Sequence, residues 1–205
     1  MSVFDPENFR LATPGLPSAR DSVFKSAAGG REGACLNYGA NKWTTYELGY
    51  KEAADILVAT IEGGRRYQDL LVYPIVSNYR HYLELAIKSL IRQAQGLLGD
   101  PVKVPAHHKL TDLWGTCSAL LDRLFPGDSV KELRQVGRLL RELSMVDPNS
   151  EAFRYPEDKE GNPTLRGLKD LDVSNVRDVV AKIAVMLNGA SAQMDYCSDC
   201  VSESY

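Results

Sequence analysis

The sequence predicts an all-α protein, a four- to five-helix bundle with an irregular N-terminal arm. Three observations carry that expectation. Apolar residues recur at helical spacing in five segments after residue 40, and no segment alternates as a strand does. Proline and glycine punctuate the first forty residues too often for a long element. The divisions that follow are an arm over 1–40, a bundle over 41–198 and a short tail over 199–205.

The first helix opens at "TTYE", where Thr44 and Glu47 have the spacing of a capping box, and stops at Gly63-Gly64. Leu48, Ala53, Ile56, Leu57 and Ile61 supply its apolar face. The second helix takes Pro74 as the marker of its first turn, because proline there forfeits no helical hydrogen bond. A start as early as Asp69 requires a kink at Pro74. This helix continues to about Leu98. "KLTDLWGTCSALLDRLF" makes the third helix, ended by Pro126-Gly127. Ser129 and Glu132 form a second capping box for the fourth, "VKELRQVGRLLRELSMV". Ser174 caps the fifth, striped with Val176, Val179, Val180, Ile183, Ala184 and Leu187. Between the last two helices lies a loop, "DPNSEAFRYPEDKEGNPTLRG", without period.

With 205 residues, 44% of them apolar and 25% charged, the chain has the material for one sizeable core. A net charge of −3 excludes a uniformly basic coat, so nucleic-acid binding has to come from a local patch. No apolar run is long enough to span a bilayer, and the start lacks a secretory pattern, so no membrane association and a cytoplasmic location are expected. Cys117 reads as a reduced, buried thiol. The "CSDC" pair, Cys197 and Cys200, has half the ligands of a zinc site and no strand before it. No glycine-rich phosphate loop, paired-carboxylate site or serine elbow is present. The reading therefore includes no metal and no cofactor.

The second helix carries the densest chemistry. At roughly 100° per residue, Arg80, His81, Glu84 and Lys88 gather on one arc, with Tyr79, Leu83, Ile87 and Leu90 opposite. The steps from Arg80 to Glu84 and from Glu84 to Lys88 suit ion pairs of about 0.2–0.5 kcal/mol each. Geometry alone thus reads a solvated ladder of charge, and His81 is the member that this reading explains least. His108, just before the third helix, is a plausible neighbour of that arc. Two further groups complete the candidates. Lys131, Arg134, Arg138 and Arg141 share one face of the fourth helix and have the pattern of a phosphate-tracking stripe. Arg154 and Tyr155, in "FRYPED", combine a cation with an aromatic ring suited to stacking on a base.

The run "LVYPIVSNYRHYLELAIKSLI", followed by "HHKLTDLW" and "FRYPEDKEG", resembles small bacterial helical proteins related to the HEPN superfamily, over roughly residues 46 to 187. The resemblance implies a four- or five-helix bundle, frequent dimerisation, and roles in toxin–antitoxin or antiphage systems. Catalytic HEPN ribonucleases carry an arginine, four to six intervening residues, then a histidine. None of the three histidines here has an arginine at that distance.

The expectation is a HEPN-like protein that works by binding, an RNA-associated or regulatory component of a prokaryotic defence or toxin–antitoxin system, with RNA, a protein partner or a second copy of itself as its ligand. Arg80 and Lys88 are assigned to phosphate or a partner carboxylate, and His81 and Glu84 to orientation or proton exchange. The alternatives are a divergent metal-independent ribonuclease, with Arg80, His81 and Glu84 catalytic, and a purely structural interaction module.

Overall fold

The computed structural model describes residues 16–24, 33–36, 41–64 and 67–202. Most of the arm expected over 1–40 lies outside the described residues. Within its described parts the backbone forms only turns and bends, and the Asp21 carboxylate accepts the Ser18 N–H at 2.7 Å.

Five helices make up the rest: α1 Lys42–Gly64, α2 Gln68–Leu97, α3 Leu110–Leu124, α4 Val130–Val146 and α5 Val173–Ser202. An isolated bridge between Glu157 and Pro163 is the nearest approach to a strand among the described residues. The protein is all-α. Helix α2 is the axis of the assembly and packs against α1, α3 and α5, while α4 packs on α3.

The helix starts differ from the sequence expectations in instructive ways. Asn41, not Thr44, caps α1, because its Oδ1 accepts the N–H groups of Trp43 and Thr44 at 3.1 and 3.4 Å. Glu47 does not reach back. Its Oε1 is buried without a partner, and burial pushes its carboxyl up, with Ser89 opposing. Helix α2 starts six residues before Pro74, which stands inside it. The proline removes the N–H that would have met the Leu70 carbonyl, on a turn where Leu70 and Tyr73 are exposed to water. Ser129 precedes α4 with φ at 49° and no side-chain cap; its hydroxyl turns to Asp128 instead. Asp172 caps α5 by accepting the Asn175 N–H at 3.0 Å, and Ser174, one residue into the helix, bonds Glu62.

The core is centred on α2. Tyr79, Leu83, Ile87 and Ile91 are within 1% of full burial and meet Ala54 and Val58 of α1, Leu113 and Cys117 of α3, and Ile183 and Leu187 of α5. Truncating any one of these leucines or isoleucines to alanine removes about 2–5 kcal/mol. The Tyr79 hydroxyl donates to Asp55 at 2.6 Å, which satisfies the polar end of a buried ring. Gln93 ties α2 to α5 through the Ser191 carbonyl, 3.0 Å away. Among the described residues no helix is long and apolar enough to cross a membrane.

One feature of α2 overturns a simple amphipathic reading. Arg80, Glu84 and Lys88 are buried, at 0%, 1% and 8% exposure. The polar arc is therefore not a solvated ladder. It is covered by the segment before α3 and by the first turn of the α4–α5 loop.

Candidate functional site

A buried charge in a protein interior has to be paired, since its desolvation otherwise costs several kcal/mol. Here four charges balance one another. Glu84 Oε1 accepts Lys88 Nζ at 2.9 Å, Arg80 Nη1 lies 3.6 Å from Glu84 Oε2, and Arg80 Nε lies 3.3 Å from Asp147 Oδ2. The Arg80 fork also binds backbone, donating from Nη2 to the His108 carbonyl at 3.0 Å and from Nε to the Asp147 carbonyl at 3.2 Å. Arg80 and Lys88, assigned from sequence to a phosphate or partner carboxylate, thus engage the chain's own carboxylates. Arg80 retains no surface for a ligand.

What Arg80 does is position two loops. Asp147, the residue missed in the sequence, is 2% exposed. Its Oδ1 accepts the N–H groups of Glu151 and Ala152 at 2.8 and 3.0 Å, which winds the start of the α4–α5 loop into a turn. The available signal was the "DPNS" context, where aspartate before proline and asparagine favours such a turn. Arg154 follows in that turn, and its guanidinium donates to the Ser150 carbonyl and lies over the Tyr155 ring, 5.5 Å from the centroid.

The two loops and two helices enclose a polar cavity of about 240 Å³. From α1 comes Tyr50; from α2, Ser77, Asn78 and His81; from the segment before α3, His108; from the α4–α5 loop, Ser150 and Arg154. Tyr50 meets the His81 ring edge to face, with centroids 4.3 Å apart. His81 and His108 thus share one space, as the sequence suggested, while His107 is exposed and accepts the Lys109 N–H at 3.3 Å. Tyr50, Ser77, Asn78 and Ser150 carried no sequence signal of their own, being ordinary residues of helix faces and a loop.

The two histidines differ in burial and in partner. Burial pulls the His81 ring below its ordinary value, with the neighbouring charges of His108, Lys88 and Arg154 adding to the effect and Glu84 opposing it. Its neutral form is favoured. His108 is different: 60% of its side chain is exposed, and Nδ1 stands 2.7 Å from Glu84 Oε1. Burial alone would push the Glu84 carboxyl up, but hydrogen bonds and charge from Lys88 and His108 outweigh it and hold Glu84 below the usual range. A carboxylate only accepts, so Nδ1 carries the proton and the other ring nitrogen, Nε2, has the lone pair in the neutral ring.

The fourth-helix stripe is exposed, as a phosphate contact requires. Arg138 pairs with Glu142 at 3.2 Å on the open surface, whereas Lys131, Arg134 and Arg141 form no ion pair among the described residues. Cys197 and Cys200 lie one turn apart on α5, and the described residues contain no group of three or more side chains placed to hold a metal ion.

Comparison with protein-family models, curated proteins and solved structures returns no match.

Proposed function

We propose that this chain is a HEPN-like RNA-associated protein that admits a phosphodiester of single-stranded RNA into the cavity between His81, His108 and Arg154, and that it acts by binding. The observation that carries the reading is the division of cations. Arg80 and Lys88 are neutralised by Glu84 and Asp147, whereas Arg154 lines the cavity with no carboxylate attached among the described residues. Arg154 is the group that meets the phosphate, with the hydroxyls of Tyr50, Ser77 and Ser150 and the Asn78 amide as additional donors. A prokaryotic defence or toxin–antitoxin setting and association with a second copy or a protein partner belong to the same proposal and come from the sequence resemblance, and a cytoplasmic location is part of it too. The test is titration of labelled single-stranded RNA against the wild type and Arg154→Ala. Equal affinity for the two would end the reading.

A second reading, a divergent metal-independent ribonuclease, is favoured by one specific feature, the bond from His108 to Glu84. Such a pair fixes the ring so that Nε2 can take the proton of a ribose 2′-hydroxyl. The 2′-oxygen then attacks phosphorus, the 5′-oxygen leaves with a hydrogen bond from the N–H of the neutral His81 ring and takes its proton from water, and a 2′,3′-cyclic phosphate remains. Arg154 stabilises the charge on the phosphoryl oxygens. This arrangement departs from the HEPN motif, since neither histidine follows an arginine at the usual distance. RNA incubated with the wild type and left uncut under conditions where it binds refutes catalysis and leaves the binding proposal intact.

A further inference from the structure

A second concavity of about 560 Å³ runs between α3 and α4. One wall is the basic face of α4, with Arg134 and Arg141, and the other carries the hydroxyls of Thr111 and Ser118 on α3. Its floor is opened by two glycines. Gly137 lets α4 approach the Trp114 indole so closely that a Cβ there would stand 2.9 Å from Nε1, whereas Gly115 faces open space with nothing within 4 Å. Neither Arg134 nor Arg141 has an ion-pair or hydrogen-bond partner among the described residues. They are seven residues apart, about 10 Å along the helix axis.

The groove is also directional. Helices α3 and α4 are joined by a short turn at residues 125–129, so Asp122 and Val130 mark one end and Thr111 and Arg141 the other. Thr111 stands three positions after His108, and Arg141 nine before Ser150, both of which line the cavity described above. The Thr111–Arg141 end is therefore the end from which the chain leads into the His81–His108–Arg154 cavity.

We propose that the α3–α4 groove is the track of a single RNA strand, with Arg134 and Arg141 on successive parts of the backbone, and that it delivers the strand to the cavity. This rests on the RNA reading above and adds a path, a polarity and two residues to it. Unpaired arginines on one wall match a polyanion, and hydroxyl donors on the other match phosphate or ribose oxygens. Asp122 repels the backbone at the far end and sets where the strand departs. The track extends over the eleven residue steps from Thr111 to Asp122, about 16 Å, which is longer than a dinucleotide needs.

The test measures binding of a labelled single strand of about ten nucleotides, and of a dinucleotide, across a range of salt. Arg134→Ala and Arg141→Ala each lower the slope of log affinity against log salt by about 0.7 for the longer strand, the value for one phosphate contact on single-stranded nucleic acid. Both leave the dinucleotide unchanged. Gly115→Leu, whose Cβ meets nothing within 4 Å on a glycine that lines the groove, weakens the longer strand alone; circular dichroism confirms that each variant is folded. Loss of longer-strand binding in Arg154→Ala but not in the three groove variants overturns the track and leaves the cavity reading standing. Absence of RNA binding by the wild type overturns both. Polyglutamate binding that depends on Arg134 and Arg141 while RNA binding does not would assign the groove to an acidic protein partner and overturn the proposal.

Discussion

Nδ1 of His108 sits 2.7 Å from Oε1 of Glu84, joining a ring that is mostly in water to a carboxylate that is almost wholly out of it. The bond is the point where the buried charge network reaches the surface. Changes made in the interior are accordingly felt in the cavity.

Glu84→Gln leaves Arg80 and Lys88 buried with only Asp147 to balance them. Removing one member of a buried ion cluster costs about 3–5 kcal/mol, far more than the loss of a surface pair. Urea unfolding of the variant against the wild type measures it, and a loss below about 1 kcal/mol would contradict the network described here. Arg80→Lys is also poorly tolerated, since an ammonium cannot serve two carbonyls and two carboxylates in the fork geometry.

Acid should weaken the fold in two stages. Because burial lowers the proton affinity of His81 in the folded protein, the unfolded chain binds that proton first. Stability then falls as pH drops below the ordinary histidine value of 6.5. Glu84 is held below its ordinary 4.5, so its contribution is complete above that value and is lost as pH falls towards its folded value. Denaturant midpoints measured from neutral to acid pH report both, and His81→Asn removes the first stage while retaining the second. A profile for that variant identical to the wild type would rule out the assignment to His81.

Two glycines in helices predict opposite outcomes for the same substitution. Gly137→Ala forces the Trp114 ring to move in a packed interior and destabilises by about 1–3 kcal/mol, more than the helix gains from alanine. Gly115→Ala meets nothing within 4 Å and stabilises by about 0.5–1 kcal/mol. Thermal melts of the two variants give the signs directly.

Cys117 is 1% exposed, and burial pushes its thiol up to about 12. Thiolate, not thiol, is the reactive species, so Cys117 resists alkylation in the native protein and becomes labelled once the chain is unfolded. Mass spectrometry of peptides from native and denatured samples tests this, and native labelling of Cys117 contradicts the described packing.

The helical character of the chain was legible because four turns or more of apolar period are hard to mistake, and all five helices were placed in the right order. Their beginnings were not. Thr44, Ser129 and Ser174 each satisfy a capping pattern, but Asn41 and Asp172 stand closer to the first free N–H groups and take the role at α1 and α5. Ser129 fails for another reason, a left-handed backbone that turns its hydroxyl away. At the site, helical spacing put Arg80, His81, Glu84 and Lys88 together on one side of α2, and it suggested His108 as their neighbour. It carried no information about cover. Whether a polar arc faces water depends on loops remote in sequence, and Asp147, sixty-seven positions beyond Arg80, supplies the missing counter-charge. The stripe on α4 was equally visible, while the groove it borders exists because of Gly115 and Gly137, whose meaning emerges only when α3 and α4 are side by side.

Arg80 grips carbonyls twenty-eight and sixty-seven positions downstream of itself, at His108 and Asp147. During synthesis, therefore, α1 and α2 emerge from the ribosome as a hairpin whose central arginine has no lid. The cationic side chain stays hydrated until the segment containing Asp147 has been made and has docked. A truncated nascent chain ending before Asp147 keeps this seam wet, and the seam closes only once the fourth helix and its following turn have been made.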